Sequence, residues 1–166
     1  MNDMAYQKPE IKHLLLATDL SENANRAYTY ATSLADAYGA EITVLHVVEQ
    51  LPPNAELLMA SFLEYRDVEE FREKSDEELA AQIKARIERF CSDTTAQMPD
   101  CRLIFQKVVV EPGKADERIA FHASAGQYDV LVMGSRGHGL IKESLIGGTS
   151  RKVLLKVQIP VFLIPL

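Results

Sequence analysis

The chain has 166 residues, no tryptophan and two cysteines. Cys91 and Cys101 stand outside any C-x-x-C or metal-ligand spacing, which argues against a thiolate zinc site or a redox pair and leaves free thiols. No run approaches the roughly 20 apolar residues that span a bilayer. The opening segment MNDMAYQKPEIKH lacks the apolar core of a secretory signal, so the expectation is a cytoplasmic protein without membrane insertion. Basic and aromatic residues are not interleaved, and the formal net charge is −6, which argues against a nucleic-acid surface. No two of the four histidines share a metal-binding spacing with a carboxylate. Internal repeats are absent too, and the length suits one domain over residues 1–166.

What is present is an alternation of apolar runs and helical patterns. HLLLATD (13–19) reads as a buried strand ending in helix-entry residues. Ala24, Ala27, Tyr28, Ala31, Leu34, Ala35 and Tyr38 then share one helical face, and Gly39 stops the pattern as a C-terminal cap. AEITVLHVVE (40–49) predicts a second strand, after which Pro52-Pro53 break the regular structure. Residues 63–90 are helical in pattern, with a stripe of Leu79, Ile83, Ile87 and Phe90 and an early part rich in carboxylates. Residues 51–78 read as an acidic insert presenting a solvated helix face. A third strand (102–110), a short helix marked by Ala115, Ile119, Ala120 and Ala123, a fourth strand (128–134), a helix (151–157) and the closing IPVFLIPL complete the order βαβαβαβαβ. Strands apolar on both faces and separated by helices predict an α/β fold: an open, doubly wound, five-stranded parallel sheet with helices on both faces.

In such a sheet a ligand sits beyond the carboxyl ends of the strands, where the strand order reverses. That rule selects Ala17-Thr18-Asp19, the neighbourhood of Val47, and Met133-Gly134. The segment after the fourth strand, GSRGHGLIKESLIGGTSRK, carries glycines between a strand and a helix, with Arg136, Lys142, Arg151 and Lys152 opposed by Glu143 alone. Glycine lets backbone approach a ligand closely, and a helix start offers unpaired N–H groups, so the segment suits a polyanion.

At these residues the chain resembles the universal stress protein family over nearly its whole length. HLLLATDLSENANRAYTYATSLA, VLHVVE, YDVLVMGSRGHG and IPVFLIP resemble in order that family's first strand and helix, second-strand ending, glycine loop and closing strand. The resemblance implies a Rossmann-like fold of the adenine nucleotide alpha hydrolase type and ATP as ligand. Mg²⁺ or Mn²⁺ would arrive on its phosphates. Gly134, Gly137 and Gly147 fit the family loop of Gly, two residues, Gly, nine residues, Gly. Where the family then has Ser or Thr this chain has Gly148, with Thr149 and Ser150 following. By the same resemblance Ala17, Thr18, Asp19, Val47, Met133 and Gly134 surround adenine and ribose, while Gly137, Gly147, Gly148, Thr149 and Ser150 hold phosphates. Arg136 stands in the loop where it can neutralise phosphate charge, whereas His138 reads first as an exposed loop histidine. The family also implies a homodimer through the last strand, Val161 to Ile164, whose apolar edge would otherwise be exposed.

The expected role is nucleotide-dependent regulation in a stress response, with slow ATP hydrolysis at most. The chain lacks G-x-x-x-x-G-K-[ST] and so the lysine that stabilises a transferring phosphoryl group. A glycine-rich loop after the first strand, as an adenylating enzyme would carry, is missing, and so is a flavin loop there. The remaining alternative is a dimeric interaction module of the same fold that does not bind nucleotide.

Overall fold

A computed structural model describes residues 8–49, 53–74, 76–98, 104–137 and 146–165. Cys101, Lys142, Glu143 and His138 lie outside them. The elements are β1 (His13–Thr18), α1 (Glu22–Tyr38), β2 (Glu41–Val48), α2 (Pro53–Phe62), α3 (Val68–Arg72), α4 (Asp76–Ala96), β3 (Ile104–Pro112), α5 (Ala115–Ser124), β4 (Val130–Gly134), α6 (Gly148–Leu154) and β5 (Val161–Ile164). The five strands form one parallel sheet in the order β3-β2-β1-β4-β5. The alternation of side chains along each strand then divides the core in two. Leu14, Leu16, Ile42, Val44, Val130 and Val132 face α1 and α4, whereas Leu15, Ala17, Leu45, Leu131 and Met133 face α5 and α6. The sheet is therefore doubly wound, as expected.

Helix α1 follows the sequence pattern. Ala27, Tyr28, Ala31 and Ala35 are buried, and Gly39 caps the helix at φ 64°, its N–H directed to the carbonyls of Ala35 and Asp36. Tyr38 departs from it: it is 50% exposed, and Thr32 is buried instead.

The region after β2 corrects the sequence reading twice. Pro53 does not break regular structure but opens α2, a position where its missing N–H costs nothing and its fixed φ is already helical. The single helix expected over 63–90 is instead the end of a turn, a short α3 and the long α4. Glu64 takes a left-handed φ of 65° just after α2, and Asp67 starts α3 by accepting the N–H of Glu70 at 2.9 Å. Leu79, Ile83 and Ile87 of α4 are buried against the sheet as the stripe predicts, with Cys91 continuing it. Four carboxylates of this segment meet cations: Glu70 with Arg66, Glu56 with Arg72, Glu78 with Lys74, and Glu64 with Arg86 farther along α4. Exposed pairs of this kind contribute little stability each, and they make the acidic insert a salt-bridged outer surface.

The remaining boundaries shift modestly. β3 extends to Pro112, and α6 begins at Gly148 rather than at Arg151. Burial pushes the Tyr28 phenol up to about 12 and the Cys91 thiol up to about 11, so both stay neutral between α1 and α4.

Candidate functional site

The sheet order reverses around β1, which lies between β2 and β4, so β1 and β4 feed connections on opposite faces of the sheet. Register aligns their ends: Ala17 pairs with Met133, Thr18 with His46, and Gly134 with Ile164. Ala17, Val47 and Met133 are buried on the same face and in one apolar cluster, which brings together three positions expected at a base.

The turn after β1 is held from several sides. The Thr18 hydroxyl accepts the Leu20 N–H at 3.2 Å. Oδ1 of Asp19 accepts the N–H and hydroxyl of Ser21 at 3.1 and 2.7 Å. Ser21 is the N-cap residue of α1, so Asp19 supports the cap from two residues upstream rather than occupying it. Leu20 sits at φ 63°, a conformation sterically disfavoured for a leucine. From β2 the buried His46 places Nδ1 at 2.9 Å from the Thr18 carbonyl, and because a carbonyl only accepts, Nδ1 carries the proton. His46 is a structural residue, as its place in a strand core suggests, but the strand register alone reveals which turn it holds.

The loop after β4 closes onto that turn. A Cβ placed on Gly137 would lie 2.0 Å from Oδ2 of Asp19, so the loop backbone rests directly on the carboxylate. At the base of the loop the Gly147 N–H donates to the Ser135 carbonyl at 2.7 Å. The Ser150 hydroxyl donates to the Gly134 carbonyl at 3.0 Å, and the Ser135 N–H donates to the Ile164 carbonyl at 2.7 Å. Ser150, expected at a phosphate, is thus 5% exposed and tied to the strand end. Among the described residues Gly148 faces open space: a Cβ there would meet nothing of them within 4 Å. Among the described residues the buried Nε of Arg136 has no hydrogen-bond partner, a donor whose desolvation costs about 1–3 kcal/mol unless an acceptor arrives. Arg151 and Lys152 stand exposed on α6, close in sequence to the glycines. The described residues contain no cluster of His, Cys, Asp or Glu able to hold a metal ion.

At the end of β3 lies a cluster that the sequence does not announce. Glu111 accepts Arg118 through two bonds of 2.8 Å and stands 2.9 Å from Nε2 of His122. The Arg118 guanidinium, and after it the His122 hydrogen bond, hold the Glu111 carboxyl below its ordinary value of 4.5. A depressed carboxyl contributes stability that is fully present above that ordinary value and is lost as pH falls through the folded-state value. We expect Glu111→Gln to lower the urea midpoint at pH 7 and to lose most of that difference from wild type at pH 3. An unchanged difference at both pH values would contradict this.

The fold agrees with the comparisons to known proteins. The Universal stress protein family profile matches residues 10–165. A universal stress protein of Thermus aquaticus, from the 3′ region of a QAH/OAS sulfhydrylase gene, is 30% identical over 153 residues, 92% of this chain and 98% of its own length. Among solved structures, the universal stress protein UspA from Lactobacillus plantarum shares the fold at a TM-score of 0.65 with 23% identity, covering 95% of this chain and 99% of the other. A universal stress protein in complex with cAMP does so at 0.61 with 17% identity, covering 94% and 98%. With the match spanning β1 to β5 and every strand end in place, this chain belongs to the universal stress protein family.

Proposed function

We propose that the chain is a cytoplasmic ATP-binding regulator in which nucleotide occupancy biases the conformation of a homodimer. The observation that carries the reading is the junction of Gly137 with Asp19, where a loop backbone free of Cβ meets a fixed carboxylate at the reversal point of the sheet. The residues fit the nucleotide on two counts. Arg136 has a buried donor that lacks an acceptor among the described residues, and Gly148 leaves space where the loop enters α6. Ala17, Val47 and Met133 would pack against the base, Asp19 would accept from an exocyclic amine or ribose hydroxyl, and Arg136 with the Gly148 and Thr149 N–H groups would meet phosphate. Bound ATP would bring its divalent cation on the phosphates. The cAMP complex of a protein with this fold is consistent with an adenine ligand.

The departure at Gly148 removes one hydroxyl donor, worth roughly 0.5–1.5 kcal/mol for a neutral hydrogen bond. Calorimetric titration of nucleotide-stripped protein with ATP, with and without Mg²⁺, is expected to give micromolar binding. Gly148→Ser should tighten it roughly threefold to tenfold, the affinity equivalent of that bond. No heat from either protein would favour the dimeric interaction module without nucleotide.

The homodimer is supported by β5, the last strand of the sheet order, in which Phe162 is 44% exposed beside β4. Leu155, just before it, is 83% exposed. Pairing β5 with its symmetry mate would cover this edge. Light scattering at micromolar concentration should return twice the chain mass; a monomer mass would overturn the assembly.

A further inference from the structure

We propose that His46 is a positioning residue for the nucleotide: from the far side of the sheet its imidazole fixes the Thr18 carbonyl, and through that peptide group the Asp19 carboxylate. In this role, which rests on the nucleotide site proposed above, His46 shapes the site without touching the ligand.

Alternation along β2 decides which face His46 takes. Val44 and Val48 lie in the cluster under α1 and α4, while Leu45 and Val47 lie in the cluster under α5 and α6. His46 therefore points to the α1 and α4 side, opposite Val47 and the expected base, and is 7% exposed there. Its influence on the nucleotide must pass through another group.

That group is the turn after β1. Thr18 and His46 are the last residues paired between β1 and β2, and β1 ends there while β2 continues to Val48. The chain leaves the ladder at the Thr18 carbonyl, which accepts the Nδ1–H of His46 at 2.9 Å. The bonds from Leu20 to Thr18 and from Ser21 to Asp19 each span two residues and set the internal shape of the turn. The His46 bond joins residues 28 apart and sets where that shape stands against the sheet. The Thr18 carbonyl and the Asp19 N–H belong to one rigid peptide plane, so a tilt of the carbonyl swings the Asp19 Cα and the carboxylate beyond it. Asp19 has little room for such a swing, because Gly137 lies against Oδ2. Leu20, at φ 63°, makes this a turn that persists only when tied from outside.

The test compares His46→Leu, His46→Gln and His46→Asn with wild type, all as the full chain. Calorimetric titration with ATP, amide hydrogen exchange at Ser21 in nucleotide-free protein, and the thermal midpoint are measured for each. The carboxamide nitrogen of asparagine stands at the same bond separation from Cβ as Nδ1, whereas that of glutamine stands one bond farther. His46→Leu and His46→Gln should each weaken ATP binding about tenfold, the scale of one buried hydrogen bond left unmade. His46→Asn should recover most of that loss. Ser21, whose N–H donates to Asp19, should exchange faster in His46→Leu and His46→Gln and near the wild-type rate in His46→Asn. A residue that served packing alone would give the reverse order, because leucine suits a buried site better than asparagine. Affinities that follow the thermal midpoints, with His46→Leu above His46→Asn, overturn the proposal, as does Ser21 exchange equal in all the proteins. Faster exchange with an unchanged ATP Kd overturns the link to nucleotide. If His46→Leu folds poorly, His46→Gln carries the comparison. If wild type gives no heat with ATP under any condition, the nucleotide reading itself fails, and exchange at Ser21 still decides whether His46 holds the turn.

Discussion

Gly137→Ala is expected to weaken ATP binding at least about tenfold, the equivalent of ~1.4 kcal/mol, while Gly148→Ala leaves it within about twofold. The two glycines stand in the same loop and differ in what a methyl group would meet. At Gly137 the new Cβ would fall 2.0 Å from Oδ2 and 3.1 Å from Cγ of Asp19, so the carboxylate must move. That carboxylate is short and doubly bonded to Ser21, so moving it undoes the support of the α1 cap. The variant should therefore also lose about 1 kcal/mol of stability, the usual cost of a lost cap interaction. At Gly148 a Cβ meets none of the described residues within 4 Å, and the residue begins a helix, where alanine is favoured. Calorimetry with ATP beside urea unfolding of both variants separates the effects. Equal ATP affinity of Gly137→Ala and wild type would show that Asp19 and the loop do not cooperate in holding nucleotide.

Leu131→Ala should cost about 2–5 kcal/mol, the range for deleting a fully buried leucine side chain. Leu131 is 0% exposed on β4, inside the cluster that includes Leu15, Leu45, Ile119 and Val153. It lies between β1 and β5, so neighbouring backbone cannot move in to fill the void without disturbing two ladders. For a chain of this size each kcal/mol lowers Tm by roughly 2–4 °C, so scanning calorimetry should record a fall of about 5–15 °C. Leu155→Ala, at 83% exposure, should stay within about 0.5 kcal/mol when measured on dissociated chains. A comparable loss from the two substitutions would mean that the packing around β4 is looser than its burial indicates.

The parts of this fold that could be read in advance are those set by local periodicity. Strands buried on both faces are continuous apolar runs, and α1 carries both a small-residue face and a glycine in the left-handed cap. The stretch from Pro53 to Arg72 was not legible in this way. Its outcome depends on Pro53 taking the first helical position and on Glu64 adopting a positive φ, choices made by tertiary packing of Phe62, Tyr65 and Phe71 against the core. The candidate site divides along the same line. Spacing of the glycines marked the loop, but nothing local could show that Gly137 would lie on Asp19, or that the Ser150 hydroxyl would be tied to Gly134. The Glu111, Arg118 and His122 cluster joins a strand end to a helix face and has no periodic signature.

The stitching at the foot of the glycine loop has a consequence for redesign. Ser135 and Gly147 are already joined by a main-chain bond, and Gly134 and Ser150 by a side-chain one, so the two ends of the segment meet whatever lies between them. Ser150 therefore belongs to the frame rather than to the variable part of the loop, and a redesign that keeps its hydroxyl keeps the end of β4 tied to the start of α6.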